Sequence, residues 1–161
     1  MKISHLIVGI ALCLTVCAFS IANAAPCSES LDNDSKLQAI DQMLTSGQNQ
    51  QALQMLEEAP DSCPDSAARL WRLARVYYEM GRLEKDKAPK LYKTSEEYAR
   101  AATSESPDSS DGYKWLAIAL GAQMKYLDTK TRVRQSREIK ENIEKAIELN
   151  PVDDISYLVL S

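Results

Sequence analysis

Few side chains in this sequence have the types and spacing that bond-making chemistry needs. The one histidine, His5, lies near the N-terminus, inside a segment that reads as a removable leader. Without it the chain has no imidazole for general-base work, a catalytic triad or a metal site. Carboxylates such as Glu96, Glu97 and Asp111 remain as acid–base candidates, and no pair of acids stands out from a solvated surface by its spacing. The expectation is a chain with no enzymatic activity, no cofactor and no metal. Of four cysteines, Cys13 and Cys17 fall in the leader, which leaves Cys27 and Cys63. Two cysteines in an exported chain favour one disulfide. It would close a loop of about 37 residues and add about 3 to 4 kcal/mol on the loop-entropy account. Two free thiols are the alternative.

Binding chemistry is better represented. Trp71, Arg75 and Tyr78 recur at helical spacing, and Trp, Tyr and Arg are the types that carry binding energy at interfaces. Two basic clusters stand out. Arg82, Lys85, Lys87, Lys90 and Lys93 face only Glu84 and Asp86, and Lys125, Lys130, Arg132, Arg134 and Arg137 face only Asp128, giving net +3 and +4.

The elements that position these groups begin after the leader. Met1 and Lys2 form a basic start, Leu6 to Ala22 an apolar run and Ala22-Asn23-Ala24 a small-x-small cleavage site, the signature of a secretory signal peptide. An uncleaved membrane anchor is the alternative, the run being at the short edge of what spans a bilayer. Removing 24 residues from 161 leaves 137, enough for one domain with its own core. The remaining chain carries 18 basic and 23 acidic residues, net −5, which disfavours general nucleic-acid binding. The predicted location is exported, with no stable membrane insertion once the leader is gone.

Past a polar lead-in at 25–34, helix-period stripes follow one another. Leu37, Ile40, Met43 and Leu44 end at Ser46-Gly47, where glycine suits a left-handed cap. Ala52, Leu53, Leu56 and Ala59 end at Pro60. Leu70, Leu73, Ala74 and Tyr77 run to Gly81. A lysine-rich linker holding Pro89 leads to a helix predicted from about Thr94 to Thr103. From Gly112 to Pro151 two helices fold back on each other, with stripes Tyr113, Leu116, Ala117, Leu120 and Ile139, Ile143, Ala146, Ile147. Lys140 with Glu144 and Glu141 with Lys145 are i, i+4 pairs that support the second of these. No segment has the alternation of a strand.

The chain repeats itself. Pro64, Pro107 and Pro151 are 43 and 44 residues apart. Each closes the same pattern of small and apolar residues, and each is followed by a matching helix start: Leu70-x2-Leu73-Ala74, Tyr113-x2-Leu116-Ala117, Tyr157-x2-Leu160-Ser161. This looks like the tetratricopeptide pattern. It predicts an all-α, right-handed solenoid of antiparallel helix pairs over 35–161, with units at about 35–64, 67–107 and 110–151 and the start of another at 154–161. Nine or ten residues beyond the standard unit enter at the turn within units two and three, and are expected to project from one edge as a basic rim. Lys36, Asp41 and Gln42 are expected to face outward from a capping helix. Ile143 and Ile147 are expected to lack full cover, either because the chain is incomplete or because a partner covers that end.

The combination LWRLARVYYEMG, KWLAIALG and SREIKENIEKAIELNP resembles the regulator of microtubule dynamics family. That resemblance implies an all-helical adaptor associating with microtubules and spindle poles, for which acidic tubulin tails would suit the rim; phosphates, anionic lipid headgroups and other acidic ligands would suit it equally, and a merely solvated face is the alternative.

Aligning Leu70 with Tyr113 sets Trp71, Arg75 and Tyr78, then Lys114, Ile118 and Gly121, on the inner surface of the stack. The functional expectation is a protein-interaction module holding an extended or acidic partner segment there. Packing of Trp71 and Tyr78 against the next hairpin is the alternative. Gly121, in mid-helix at a cost of roughly 1 kcal/mol, is expected to meet another helix or a bound peptide at close range.

Overall fold

The computed structural model describes residues 34–58 and 66–160, and every regular element there is helical: α1 (Asp34–Thr45), α2 (Asn49–Glu57), α3 (Ser66–Leu83), α4 (Ala88–Glu105), α5 (Ser110–Gln123), a 3-10 turn at Met124–Tyr126, α6 (Thr129–Leu149) and α7 (Asp154–Leu160). The expected leader and the Cys27–Cys63 pair lie outside the described residues.

Local chemistry sets the boundaries. Gly47 takes φ 77°, the left-handed conformation that ends α1, and Gln48 N donates back to Met43 O at 2.8 Å. Ser109 caps α5 by accepting from Gly112 N at 3.2 Å. Asp128 caps α6 by accepting from Thr131 N at 3.1 Å and from the Thr131 hydroxyl at 2.6 Å. Short connections between these ends force neighbouring helices to reverse direction.

The core is a succession of sandwiches. Ile40, Leu44, Ala52, Leu56, Leu73 and Val76 join α1, α2 and α3. Ala74, Ala99, Trp115, Leu116 and Leu120 join α3, α4 and α5. Ala117, Ile143 and Ala146 join α5 to α6, with Val159 of α7 against them. Each fully buried Ile or Leu contributes about 1.5 to 3 kcal/mol. Every helix touches the next, and α5 also touches α3 and α7, as stacked helix pairs should.

Several expectations need correcting. The helix predicted from Thr94 begins at Ala88, because Pro89 falls in the first turn, where no amide is needed, and Leu91 and Tyr92 are buried by the added turns. The extra residues of units two and three are therefore largely helix, giving an 18-residue α4 and a 21-residue α6. Asp41 does not face outward: it receives Arg72 at 2.6 and 3.0 Å. Ile143 does not lack cover, being 1% exposed. Lys145 pairs with Glu148 at 3.0 Å rather than with Glu141. Ser95 is buried and donates to Ala74 O at 2.7 Å, tying α4 to α3.

The glycines exchange roles relative to expectation. A Cβ at Gly121 would meet nothing within 4 Å, whereas one at Gly81 would stand 2.6 Å from the Tyr92 ring. Gly81 is the close approach, made by an aromatic ring that is itself buried. Gly81→Ala is expected to lose about 1 to 2 kcal/mol, overpacking outweighing the gain in helix propensity. Gly121→Ala is expected to gain about 0.5 to 1 kcal/mol. Urea midpoints of the two variants check this; Gly81→Ala at or above wild type would refute the packing account.

Candidate functional site

Because α5 packs beside both α3 and α7, exposed flanks of these helices share one hollow of about 850 Å³. Trp71, Arg75 and Tyr78 line it from α3, and Lys114, Ile118 and Gly121 from α5. The six positions that the repeat alignment set on the inner surface are thus brought together. Trp115 of α5 and Ile155, Leu158 and Val159 of α7 also line it, and the sequence reading missed them. Leu158 was within reach, since the alignment that equates Trp71 with Lys114 places Leu158 third in the series. Trp115 lies between Lys114 and the predicted stripe, and only the packing shows that it serves core and hollow at once.

The wall is aromatic and partly held by the core. Trp71 and Tyr78 pack against the second cluster, half-buried, while still lining the hollow. The Tyr78 ring lies 5.8 Å from Trp115, and the Arg75 guanidinium 5.7 Å from the Trp115 ring centre. Burial pushes the Tyr78 hydroxyl above its ordinary pKa, so it stays a neutral donor. Gly121 is the open floor: the space that a close neighbour was expected to fill is part of the hollow.

The charges around this wall are committed to each other. Arg75 lies 3.9 Å from Asp41, and Arg82 lies 2.8 Å from Glu79. Lys114, 9% exposed, bonds Asp111 at 2.5 Å and Asp153 at 2.9 Å. Burial opposes the charge on Lys114, but its bonds to the two carboxylates outweigh that and raise its pKa. Lys114, expected to grip a partner, ties α5 to the start of α7.

The basic rim divides in the same way. Arg82, Lys87 and Lys93 pair with Glu79, Glu84 and Glu96, and Lys125 lies 4.8 Å from the Tyr126 ring centre. Lys85 and Lys90 are exposed, as are Lys130, Arg132, Arg134 and Arg137 on α6. Glu96 does not belong to a solvated surface: it is buried and receives Arg100 at 2.8 Å, Lys93 at 3.0 Å and Gln123 at 3.0 Å. Burial disfavours its charge, but these bonds prevail and hold its carboxyl below the ordinary glutamate value. Among the described residues no cluster has the ligands for a metal, and no helix is long and apolar enough to cross a membrane.

Asp153 also caps α7, accepting from Ile155 N at 3.2 Å and from the Ser156 hydroxyl at 2.8 Å. Burial would raise its pKa, but the bonds from Lys114 and Ser156 outweigh that and lower it. A carboxyl with a lowered folded pKa contributes stability above its unfolded value and loses it as pH falls through the folded one. Docking of α7 is therefore expected to hold at neutral pH and to weaken below about pH 4, seen as loss of hydrogen-exchange protection in α7 before α3. Asp153→Ala is expected to expose α7 at neutral pH, at a cost of about 1.5 to 3 kcal/mol. Protection of α7 unchanged in that variant would rule out the latch.

Comparison with known proteins agrees with this architecture. The family model described as Regulator of microtubule dynamics protein 1-3 matches residues 36–161. Regulator of microtubule dynamics protein 1 from Bos taurus is 35% identical over 124 residues, covering 74% of this chain and 38% of that protein. Its counterpart from Pongo abelii is 33% identical over 140 residues, covering 84% and 44%. Regulator of microtubule dynamics protein 3 from Xenopus laevis is 37% identical over 93 residues, covering 56% and 20%. The chain thus spans less than half the length of these relatives, none of which carries an enzyme's name. With a family match running from the first turn of α1 to the last residue of the chain, this protein belongs to the regulator of microtubule dynamics family.

Proposed function

We propose that this domain is a non-enzymatic protein-interaction module that seats an extended partner segment in the hollow between α3, α5 and α7. The observation that carries the reading is the lining itself, with Trp71, Tyr78, Trp115, Ile118 and Leu158 around a floor opened by Gly121. Such a wall rewards apolar and aromatic anchors, which dominate interface energetics. The acidic part of the expected partner has little to hold here, since Arg75, Arg82 and Lys114 are already paired with carboxylates. The anchors are therefore apolar or aromatic side chains of the partner, flanked by polar ones.

Gly121→Leu tests this with little risk to the fold, because nothing stands within 4 Å of the added Cβ. The wild-type domain and the variant are each used to capture proteins from the source extract. The expectation is that a partner held by the wild type is weakened about 30-fold or more, in line with loss of a hot-spot pocket, with helical circular dichroism unchanged. Equal capture by both would remove the hollow as the site.

A second reading takes up the role named in the relatives, in which the module serves the regulation of microtubule dynamics; family membership over 36–161 supports it. The two readings differ in location. If residues 1–24 are a cleaved leader the domain acts on the exported side, and if they are a retained anchor it can face the cytosol. N-terminal sequencing of the expressed protein separates them: a start at Ala25 or Pro26 is expected for export, and an intact Met1 with bound membrane would favour the microtubule role.

A further inference from the structure

The outer face of α6 carries charge that the fold does not use. Lys130, Arg134 and Arg137 follow at i, i+4 and i+7, one row on the side of the helix away from buried Ile143 and Ala146. These three and Arg132 are exposed, and among the described residues none has an ion-pair partner. Nearby acids are engaged elsewhere: Asp128 caps the helix through Thr131, and Glu138 holds Arg100 at 2.5 Å. In the first half of the rim Arg82, Lys87 and Lys93 each have a carboxylate within 3.0 Å, and the exposed Lys85 and Lys90 are interrupted by Glu84 and Asp86.

This placement works against the helix. Lys130 and Arg134 repel at i, i+4, as do Arg134 and Arg137 at i, i+3. Lys130 and Arg132 also occupy the first turn, where the helix dipole favours carboxylates. A face selected for stability alone would carry the opposite sign. The row also ends abruptly, because Glu141 and Glu144 continue the same face toward the C-terminus. It spans about 10 Å along the axis, the length of about three extended residues. A bilayer or a duplex laid over it would press its own negative charge onto Glu141 and Glu144, on a chain of net charge −4. A short chain can stop before them.

We propose that the outer face of α6 from Lys130 to Arg137 docks a short acidic polypeptide segment of the partner, presenting about three or four carboxylates to this row. The site is separate from the hollow and does not depend on it. A fluorescein-labelled hexaglutamate peptide, titrated with the full chain and followed by anisotropy, tests it. Binding is expected to weaken with added salt and to fall about tenfold or more in the Lys130→Ala/Arg134→Ala/Arg137→Ala variant. Arg82→Ala/Lys87→Ala, on the paired half of the rim, is expected to bind as wild type does. The triple variant should also melt at or above the wild-type temperature, since it relieves repulsion. Undiminished peptide binding by the triple variant, or a lower melting temperature, would overturn the proposal. So would tighter binding of phosphatidylserine vesicles or of a six-nucleotide oligothymidylate than of the peptide.

Discussion

The constraint on which the structure rests is that α5 must be enclosed. Its sequence, SDGYKWLAIALGAQ, is apolar around most of its circumference, and such a helix has no stable place at a surface. It touches α3, α4, α6 and α7. Ala117 and Ala119 are fully buried, and their small side chains let those neighbours come close. Gly112 does the same at the N-terminal end, where a Cβ would be 3.2 Å from Thr103. Removing any of the four neighbours would leave an apolar flank of α5 in water, so the order of the whole stack follows from this one helix.

The hollow follows from the same arrangement. With α4 and α6 covering the other sides of α5, the flank that carries Ile118 and Gly121 is left uncovered, and α3 and α7 rise beside it. A buried lysine in such a helix is tolerable only if its charge is answered. Lys114 meets that condition through Asp111 on its own helix and Asp153 at the start of α7. The ion pair that makes α5 viable therefore also positions Ile155 and Leu158 as the third wall. Stability and the walls of the hollow share one set of atoms here, and a change at Lys114 or Asp153 alters both.

Much of this was legible in the sequence, for reasons that differ by element. The apolar stripes and proline-spaced repeats gave the helices, because periodicity reports burial directly. The same repeats gave the hollow's lining from α3 and α5, since equivalent positions of stacked units share a face. What did not show was anything decided by a partner distant in sequence. Gly81 and Gly121 look alike as helical glycines, and only the Tyr92 ring distinguishes them. Asp41, Glu96 and Lys114 look like surface charges until Arg72, Gln123 and Asp153 arrive from 31, 27 and 39 residues away. Pro89 suggested a break because its position in the first turn depends on where α4 begins, which tertiary burial of Leu91 and Tyr92 decides.

Depth and the carboxylates within reach together sort the charges that the sequence scatters along the chain. Near the apolar wall, where the local dielectric is low, an unanswered charge costs several kcal/mol, and each cation there has a carboxylate beside it. At the outer face of α6 an exposed cation loses little by being alone, and the fold exerts no pressure to pair it. A basic cluster in sequence therefore becomes two kinds of surface. In one half Arg82, Lys87 and Lys93 have carboxylates within 3.0 Å, while Lys85 and Lys90 stay exposed. The other keeps its field, and that field reaches into solvent from a helix whose own stability would be better served without it.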